Sequence, residues 1–346
     1  MEKLFEKTEA IVVTGESNRY YLTRFKCSFG VVVLLPQSKI LFTDFRYAVA
    51  AKKSIKDAEV RITDKENLYS NVVALLNERK VKVVGYEDEV MSVASFKAFK
   101  KAFADFDLKP IGNALETLRS VKTEEEIEFI KQAQSITETV LDKVLSQLKV
   151  GATEKEINAE LTYQFILQGA DGLAFDNIVA FGENSADCHH IPGDRKLERG
   201  DIVLFDIGAK WGGYCSDMTR TFCYGEPSQK IADLHSMVLS AQEYVLKHVK
   251  AGMTGREVDG MAREFFKANG YDKEFGHSLG HGVGVDIHEL PTLSSKNEEP
   301  LAENAVVTIE PGLYIEGFGG VRIEDMVVIK KDGIENLTNY TKSLII

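Results

Sequence analysis

The chain has 346 residues, 44% of them hydrophobic and 27% charged, a composition typical of a globular protein and a length sufficient for two domains. Its net charge of −11 argues against nucleic acid as a partner. No apolar run reaches the length of a membrane span, and the charged first residues, MEKLFEKTEAIVV, lack the layout of a signal peptide. We therefore expect a cytoplasmic protein that binds neither membranes nor nucleic acid.

The cysteine pattern points to a reducing compartment. Cys27, Cys188, Cys215 and Cys223 include no CxxC pair, so the sequence indicates neither a thiolate zinc site nor a redox motif. We expect all four to be free thiols, mostly buried.

Residues 1–120 predict an α/β domain without a catalytic cluster. The predicted elements are a strand over 9–15, a hairpin over 29–44, helices over 68–80 and 92–103, and a strand over 81–87. No histidine precedes His189, and the acidic residues of this segment are scattered. We therefore expect the chemistry to lie in the second domain.

The boundary between the domains is predicted just before a long helix. Thr123 and Glu126 have the spacing of a capping box, and helical periodicity continues to about Leu148. This divides the chain into an N-terminal domain, 1–120, and a catalytic domain, 121–346.

The second domain contains an internal repeat. The pattern KxGxTxxE followed by a β-branched residue begins at Lys149 and again 101 residues later at Lys250. Each copy predicts a glycine turn and then a capped helix start. The acid pairs described next recur at similar offsets, so we expect two halves, each a helical segment followed by a hairpin that carries two acids.

Two pairs of acids mark those hairpins. Asp206 and Asp217 lie 11 residues apart, and Glu310 and Glu324 lie 14 apart, each pair spanning two apolar runs joined by a glycine-rich turn. If the members of a pair face each other directly, their carboxylates lie side by side on one face of the hairpin.

Direct opposition also predicts where each hairpin turns. The first turn should centre between Trp211 and Gly212, and the second should centre on Gly317. Pro311 or a bulge could alter the second register.

These acids can be read as solvated side chains near turns, but their apolar surroundings disfavour that reading. Asp206 lies in IVLFDIG and Glu310 lies in VVTIEPG. A buried acid must be paired, protonated or bound to a metal. Four carboxylates directed at one place repel each other unless cations lie between them.

A histidine cluster lies close by in the sequence. His277, His281 and His288 fall within 12 residues. The spacing of His277 and His281 would suit a zinc pair on a helix, but the glycines around them disfavour a helix. A glycine-rich strand and loop that approaches a site closely is the better interpretation.

Four carboxylates and one imidazole suit two divalent cations of intermediate hardness, such as Mn²⁺, Co²⁺, Fe²⁺ or Zn²⁺. Two dications balance four negative charges. Paired metal ions favour hydrolysis, because they can activate a water molecule and stabilise an oxyanion.

These motifs resemble the M24 metallopeptidase family with the pita-bread fold, which includes methionine aminopeptidase, aminopeptidase P and prolidase. The family's metal ligands occur in the order Asp, Asp, His, Glu, Glu, and the segments LFDIGA, SDMTRTF, HSLGHGVG, TIEPGLY and VRIEDM match them in that order. The resemblance implies two divalent metal ions, with Mn²⁺ expected first and Co²⁺, Zn²⁺ or Fe²⁺ as alternatives. It implies five metal ligands: Asp206, Asp217, His281, Glu310 and Glu324. It also implies an α+β pita-bread catalytic domain with a pseudo-twofold repeat, after an α/β N-terminal domain.

The resemblance divides the ligands between the two metals. Asp217 and Glu324 would bridge both ions, Asp206 would hold one, and His281 and Glu310 would hold the other. Glu310 is also the implied proton carrier.

The resemblance extends to residues around the metals. His288, in HELP, matches a histidine that stabilises the reacting carbonyl, and His189 matches a substrate-side histidine. Arg322 matches an arginine that supports the site, although a salt bridge to a ligand acid would equally explain it. His277 is a candidate for the substrate wall, and His190 receives no role.

The N-terminal domain separates the branches of the family, because simple methionine aminopeptidases lack one of this size. The segments NRYYLT and TDFRY resemble those of aminopeptidase P, prolidase and creatinase, with Arg24 standing where glycine is frequent. Creatinase lacks the metal ligands, and all five are present here.

The expected activity is therefore removal of an N-terminal residue that precedes proline, by a homodimer acting on Xaa-Pro peptides. An Xaa-Pro dipeptidase is the alternative within this branch. Many dipeptidases carry an arginine just after the HExP motif, where this chain has Thr292, and this favours the aminopeptidase. A pita-bread module that only binds its partner is the alternative from another class.

Overall fold

The computed structural model describes residues 2–346, with side chains from Leu4 onward. The chain forms two compact units, Met1–Arg119 and Ser120–Ile346. In the described part of the chain, no helix is long and apolar enough to cross a membrane.

The first unit is built on a six-stranded mixed sheet with the order β4-β3-β2-β1-β5-β6. The strands are β1 (Ala10–Val13), β2 (Val31–Leu35), β3 (Ser38–Thr43), β4 (Glu59–Ile62), β5 (Val83–Tyr86) and β6 (Asp107–Pro110). The helices are α1 (Glu16–Thr23), α2 (Ala48–Ser54), α3 (Leu68–Glu78), α4 (Val93–Ala102) and α5 (Ala114–Ser120), the last reaching the unit boundary. The predicted hairpin is confirmed, since β2 and β3 pair antiparallel from Leu35 and Ser38 across a turn of two residues.

The second unit contains four long helices and thirteen short strands among the described residues. The helices are α6 (Glu124–Leu145), α7 (Glu154–Leu167), α8 (Gln229–His248) and α9 (Gly255–Ala268). The strands are β7 (Gly172–Leu173), β8 (Ile178–Phe181), β9 (Ile202–Ile207), β10 (Ala209–Trp211), β11 (Tyr214–Cys215), β12 (Met218–Cys223), β13 (Gly280–Gly282), β14 (Glu289–Leu293), β15 (Val306–Ile309), β16 (Gly312–Ile315), β17 (Gly319–Arg322), β18 (Asp325–Lys330) and β19 (Gly333–Asn336). A capping box formed by Thr123 and Glu126 starts α6, as predicted.

The internal repeat is visible in the secondary structure. Helices α7 and α9 both have 14 residues, and both begin with a threonine capping box, at Thr153 and Thr254. Each half then forms an antiparallel strand pair, β9 with β12 and β15 with β18. The helices of each half contribute to a separate hydrophobic core with those strands. The four proposed acids therefore come from two independently packed halves.

The first hairpin does not have the register predicted from direct opposition. Asp206 pairs with Thr219, two residues beyond Asp217. The reason is the turn, which consists of Gly212 and Gly213, both with positive φ, instead of centring before Gly212. A slip of two residues leaves the two aspartates on the same face, as diagonal neighbours.

The second hairpin has the predicted register. Ile309 pairs with Asp325, and Gly312 pairs with Arg322, so the register is the same on both sides of Pro311. This continuity places Glu310 opposite Glu324 between the two strand pairs. The turn centres on Gly317, whose φ is +70°.

The C-terminal segment returns to the first half of the second unit. The backbone amide of Ile346 donates to the Cys223 carbonyl (3.1 Å), and the amide of Gly225 donates to the Ile346 carbonyl (3.0 Å). Tyr340 and Ile346 also pack against the core of that half. The segment thus covers the end of β12.

All four cysteines are free, and three of them are buried. Burial raises the pKa of Cys215 to about 12, so its thiol stays protonated and unreactive at pH 8. We expect iodoacetamide to label the partly exposed Cys188 in the native protein and to spare Cys215 until denaturant is added. Peptide mapping by mass spectrometry tests this, and equal native labelling of both residues would contradict it.

Candidate metal centre

A cavity of about 950 Å³ opens in the second unit. All nine site residues predicted from the sequence line it: His189, Asp206, Asp217, His277, His281, His288, Glu310, Arg322 and Glu324. The fold thus brings together side chains that are up to 135 positions apart in the sequence.

The centre of this group consists of three side chains from three different segments. Asp217, His281 and Glu324 each offer one ligand atom, and these atoms all lie within 4.8 Å of one another. The Nε2 atom of His281 lies 3.6 Å from Asp217 Oδ2 and 3.4 Å from Glu310 Oε1. Such a cluster has the size expected of a metal site.

The glycines around His281 let its strand fit between two neighbours. A Cβ atom on Gly280 would lie 2.1 Å from the Thr308 carbonyl oxygen, and one on Gly282 would lie 2.2 Å from the Leu290 carbonyl oxygen. Only glycine allows this approach. The His281 Nδ1–H donates to the Gly282 carbonyl (3.1 Å), which directs the Nε2 lone pair towards the acids.

Two threonines orient the glutamates. Thr219 Oγ1 donates to Glu324 Oε2 (2.6 Å), and Thr308 Oγ1 donates to Glu310 Oε1 (3.1 Å). Thr308 Oγ1 also accepts the backbone N–H of His281 at 3.0 Å. These bonds leave the second carboxylate oxygen of each glutamate available to another partner.

Arg322 is buried, with 3% of its surface exposed, and uses all parts of its guanidinium group. One terminal nitrogen donates to Asp206 Oδ2 (2.5 Å), the other donates to the Tyr314 hydroxyl (2.7 Å), and Nε donates to Thr219 Oγ1 (3.0 Å). The salt bridge to a predicted ligand acid is therefore present.

Tyr314 connects Arg322 with His277. The His277 Nδ1–H donates to the Ser278 carbonyl (2.7 Å), so Nε2 accepts from the Tyr314 hydroxyl at 3.0 Å. Burial, followed by the charge of Arg322, lowers the pKa of His277 to about 4. His277 is therefore neutral at physiological pH.

The electrostatics of the cluster favour bound cations. Burial raises the pKa values of Asp217 and Glu324 well above the usual range, and the neighbouring acids raise them further. Burial also raises the pKa of Glu310, to about 7. Arg322 alone cannot balance four ionised carboxylates, so all four acids can be ionised together only when cations are bound beside them.

An unsatisfied atom supports the same conclusion. Asp206 Oδ1 is buried and has no hydrogen-bond partner among the described residues. A buried carboxylate oxygen of this kind is costly unless something binds it. Four carboxylates and one imidazole, with this oxygen free to coordinate, fit divalent metal ions.

The other two histidines predicted from the sequence, His189 and His288, lie at the cavity wall and are exposed. The His288 ring contacts the His281 ring, with centroids 4.3 Å apart. The segment that carries His288 is held by a buried ion pair, in which Lys122 Nζ lies 2.6 Å from Glu289 Oε1 and both side chains are at most 2% exposed. Gly284 permits the close approach of the Glu289 carboxylate.

Sequence reasoning missed several residues that build this site. Thr219, Thr308, Tyr314 and the Lys122–Glu289 pair received no role. A threonine at a two-residue spacing from a ligand acid was the available signal for Thr219 and Thr308, since such residues share a strand face. No local pattern connects Lys122 with Glu289.

Two family profiles match the chain. The profile of metallopeptidase family M24 covers residues 128–331, and that of the creatinase/prolidase N-terminal domain covers residues 5–121. This chain belongs to metallopeptidase family M24. As an M24 metallopeptidase it is a hydrolase of peptide bonds, and the family implies divalent metal ions. The family resemblance inferred from its motifs is confirmed.

Solved structures and a sequence relative agree with this assignment. An X-Pro aminopeptidase from Thermotoga maritima superimposes with a TM-score of 0.94 and 40% identity, covering 100% of this chain and 99% of its own. An Xaa-Pro dipeptidase from Bacillus anthracis superimposes with a TM-score of 0.93 and 37% identity, covering 98% of this chain and 95% of its own. An Xaa-Pro dipeptidase from Pyrococcus furiosus is 41% identical over 255 residues, 74% of this chain and 73% of its own. These matches confirm the predicted pita-bread architecture with its α/β N-terminal domain.

Proposed function

We propose that this M24 peptidase is an Xaa-Pro aminopeptidase, which removes the N-terminal residue before a proline from peptides longer than two residues. The proposal takes the catalytic domain to be 121–346 and the N-terminal domain to be 1–120. Relatives named aminopeptidase and dipeptidase are equally similar, so the choice between the two activities depends on the cavity.

The observation that carries the choice is that the described part of the cavity wall offers no lysine or arginine free to pair with a carboxylate. Among the described lining residues, Arg322 is the only lysine or arginine, and its guanidinium group is already bonded to Asp206, Tyr314 and Thr219. A dipeptide carries its free carboxylate next to the scissile bond and needs a cation there. Thr292 lines the cavity at the position where dipeptidases often have arginine, and it cannot supply that charge.

We propose that five side chains hold two divalent ions, with Mn²⁺ expected first and Co²⁺, Zn²⁺ or Fe²⁺ as alternatives. They are Asp206, Asp217, His281, Glu310 and Glu324, and the family resemblance implies that Asp217 and Glu324 would be common to both ions. When bound, the ions would polarise the scissile carbonyl and activate water. Metal analysis of protein purified without added metal tests both the identity and the number.

The side chains around the ions then have separate tasks. His288, whose exposed ring contacts that of His281, is proposed to donate a hydrogen bond to the carbonyl oxygen as negative charge develops on it. Glu310 is proposed to carry a proton to the leaving proline nitrogen. His189 and His277 form part of the substrate wall, and Arg322 holds Asp206 and Tyr314 in place.

The choice of activity is tested with a dipeptide, its amide and a tripeptide, for example Ala-Pro, Ala-Pro-amide and Ala-Pro-Ala. We expect kcat/KM to be about tenfold higher for the amide and the tripeptide, because the free carboxylate of Ala-Pro would find no unpaired lysine or arginine in the described cavity wall. A tenfold difference corresponds to about 1.4 kcal/mol. The amide is the matched control, since it removes the charge without adding a residue. We expect Thr292→Arg to shift preference towards Ala-Pro.

A clear preference of the wild type for Ala-Pro would establish the dipeptidase instead, in agreement with the names of the two dipeptidase relatives. Ala-Ala-Ala tests the proline requirement. Metal-free protein that stays inactive after reconstitution with Mn²⁺, Co²⁺ and Zn²⁺ would indicate a binding module.

A further inference from the structure

We propose that Glu154 is a positioning residue that holds the segment 182–195, here called the His189 loop, in the geometry that places His189 at the substrate. This inference rests on the proposed peptidase function. It also gives a role to His190, which lies next to His189 and had none.

Glu154 is the first residue of α7, and its side chain is completely buried. Each of its two carboxylate oxygens accepts two hydrogen bonds. Oε1 accepts from the Phe181 backbone N–H and from Asn184 Nδ2, each at 2.9 Å. Oε2 is bonded to His190 Nε2 and to the Gly193 backbone N–H, each at 2.8 Å. A buried carboxylate with four partners is satisfied only while all of them keep their positions.

These four donors are distributed along the His189 loop and the residue before it. Phe181 ends β8, Asn184 lies in the short 3₁₀ helix Gly182–Ala186, and His190 and Gly193 follow His189. His189 itself is exposed, and Ile191 is 83% exposed. The Glu154 side chain therefore bonds to the loop on both sides of His189. The backbone N–H groups of Glu154 and Lys155 add bonds to the carbonyls of Arg195 and Gly193 at its far end.

The internal repeat shows that this arrangement is not a general feature of the helix start. Gly255 occupies the position equivalent to Glu154 in α9. A Cβ atom there would lie 2.2 Å from the Thr292 carbonyl oxygen, so the backbone itself packs against the helix start in the second half. Each half thus fixes a cavity-lining segment at the same helix position, by direct backbone contact in one and by the Glu154 carboxylate in the other.

Glu154 is also distinct from the helix cap. The capping box is formed by Thr153 and Glu156, and the Glu156 carboxylate accepts the Thr153 backbone N–H at 2.9 Å. Glu156 is exposed and does not contact the loop in any described hydrogen bond. Burial alone would raise the pKa of Glu154, but the hydrogen bonds from His190, Asn184 and two backbone amides outweigh it and lower the pKa. Glu154 therefore holds the loop as a carboxylate.

The test compares Glu154→Gln with Glu156→Gln, which makes the same chemical change two residues away. An amide presents an N–H₂ group to donors of the loop, so we expect Glu154→Gln to raise KM for Ala-Pro-Ala about tenfold or more, with a smaller change in kcat. Glu156→Gln retains an oxygen for the cap and should leave KM within about twofold of wild type. In a His189→Ala background, Glu154→Gln should have no further effect on KM.

Hydrogen exchange provides a readout that does not depend on activity. We expect amides of 182–195 to exchange faster in Glu154→Gln than in Glu156→Gln. If Glu154→Gln does not fold, His190→Ala, which removes one of the four hydrogen bonds from a partly exposed position, should show the same changes to a smaller extent.

Equal KM and equal exchange in the two glutamine variants would overturn the proposal. So would an effect of Glu154→Gln on KM that persists without His189. If the wild type cleaves none of the proline peptides, the proposed function fails, and the exchange comparison alone decides whether Glu154 holds the loop.

Discussion

Glu324→Gln is expected to lose at least one bound metal ion per chain and to reduce peptidase activity more than about 100-fold. Replacing a residue that merely supports a metal ligand typically costs 10–100-fold, so loss of a proposed bridging ligand should cost more. Glutamine suits this test because its carbonyl oxygen can still accept the hydrogen bond from Thr219 Oγ1, which is 2.6 Å long in the structure. Metal content and kcat/KM for Ala-Pro-Ala are measured on the same preparation.

Glu316→Gln is the matched control. Glu316 lies in the turn of the same hairpin, is exposed and does not line the cavity, so the variant should keep both metal and activity. Asp217→Asn should behave as Glu324→Gln does. In the presence of EDTA, Glu324→Gln should melt no lower than the wild type, because it removes one of four mutually repelling acids. If Glu324→Gln kept its full metal content and full activity, Glu324 would be excluded as a ligand.

Arg220→Met is expected to lower the free energy of unfolding by about 3–5 kcal/mol, the usual result of breaking a buried ion pair. Arg220 is 1% exposed and is bonded to Asp325 Oδ1 at 2.8 Å. Its other donors bind four backbone carbonyls, those of Thr219, Glu324, Tyr340 and Thr341. The methionine side chain has no hydrogen-bond donor and cannot replace these bonds.

Urea denaturation in EDTA measures this effect without a contribution from metal binding. Arg256→Met is the control, because Arg256 pairs with Glu298 on the surface and should contribute at most about 1 kcal/mol. A loss below about 1 kcal/mol for Arg220→Met would mean that the surrounding carbonyls find other partners.

The sequence predicted the proposed acid ligands because Asp206 and Glu310 lie in the apolar segments IVLFDIG and VVTIEPG, where a solvated side chain is not expected, and all four acids line one cavity. The sequence also predicted the internal repeat of the second unit, and Thr153 and Thr254 do cap helices of equal length. Helix caps and acids in apolar segments depend on residues that are close in the sequence, so they can be predicted from the sequence alone.

The hairpin register and the partners of buried charged residues were harder to predict from the sequence. The turn of the first hairpin was predicted one residue too early, which shifted the predicted pairing by two residues. Gly212 and Gly213 both adopt positive φ, and strand twist decides which adjacent glycines form the turn. Arg220 gave only a weak signal, a charge between Met218 and Phe222. The partners of Glu154 lie 27 to 39 residues away, beyond any periodic pattern.

The return of the C-terminal segment to β12 has a consequence for the order in which the protein can fold during synthesis. Arg220 and Cys223 find their partners among residues 340–346, more than a hundred positions later. At 5–20 residues per second, the ribosome needs roughly 10 s to make that stretch. The half that contains Asp206 and Asp217 must therefore wait with an uncovered strand, and it completes its structure only after the second half has been made.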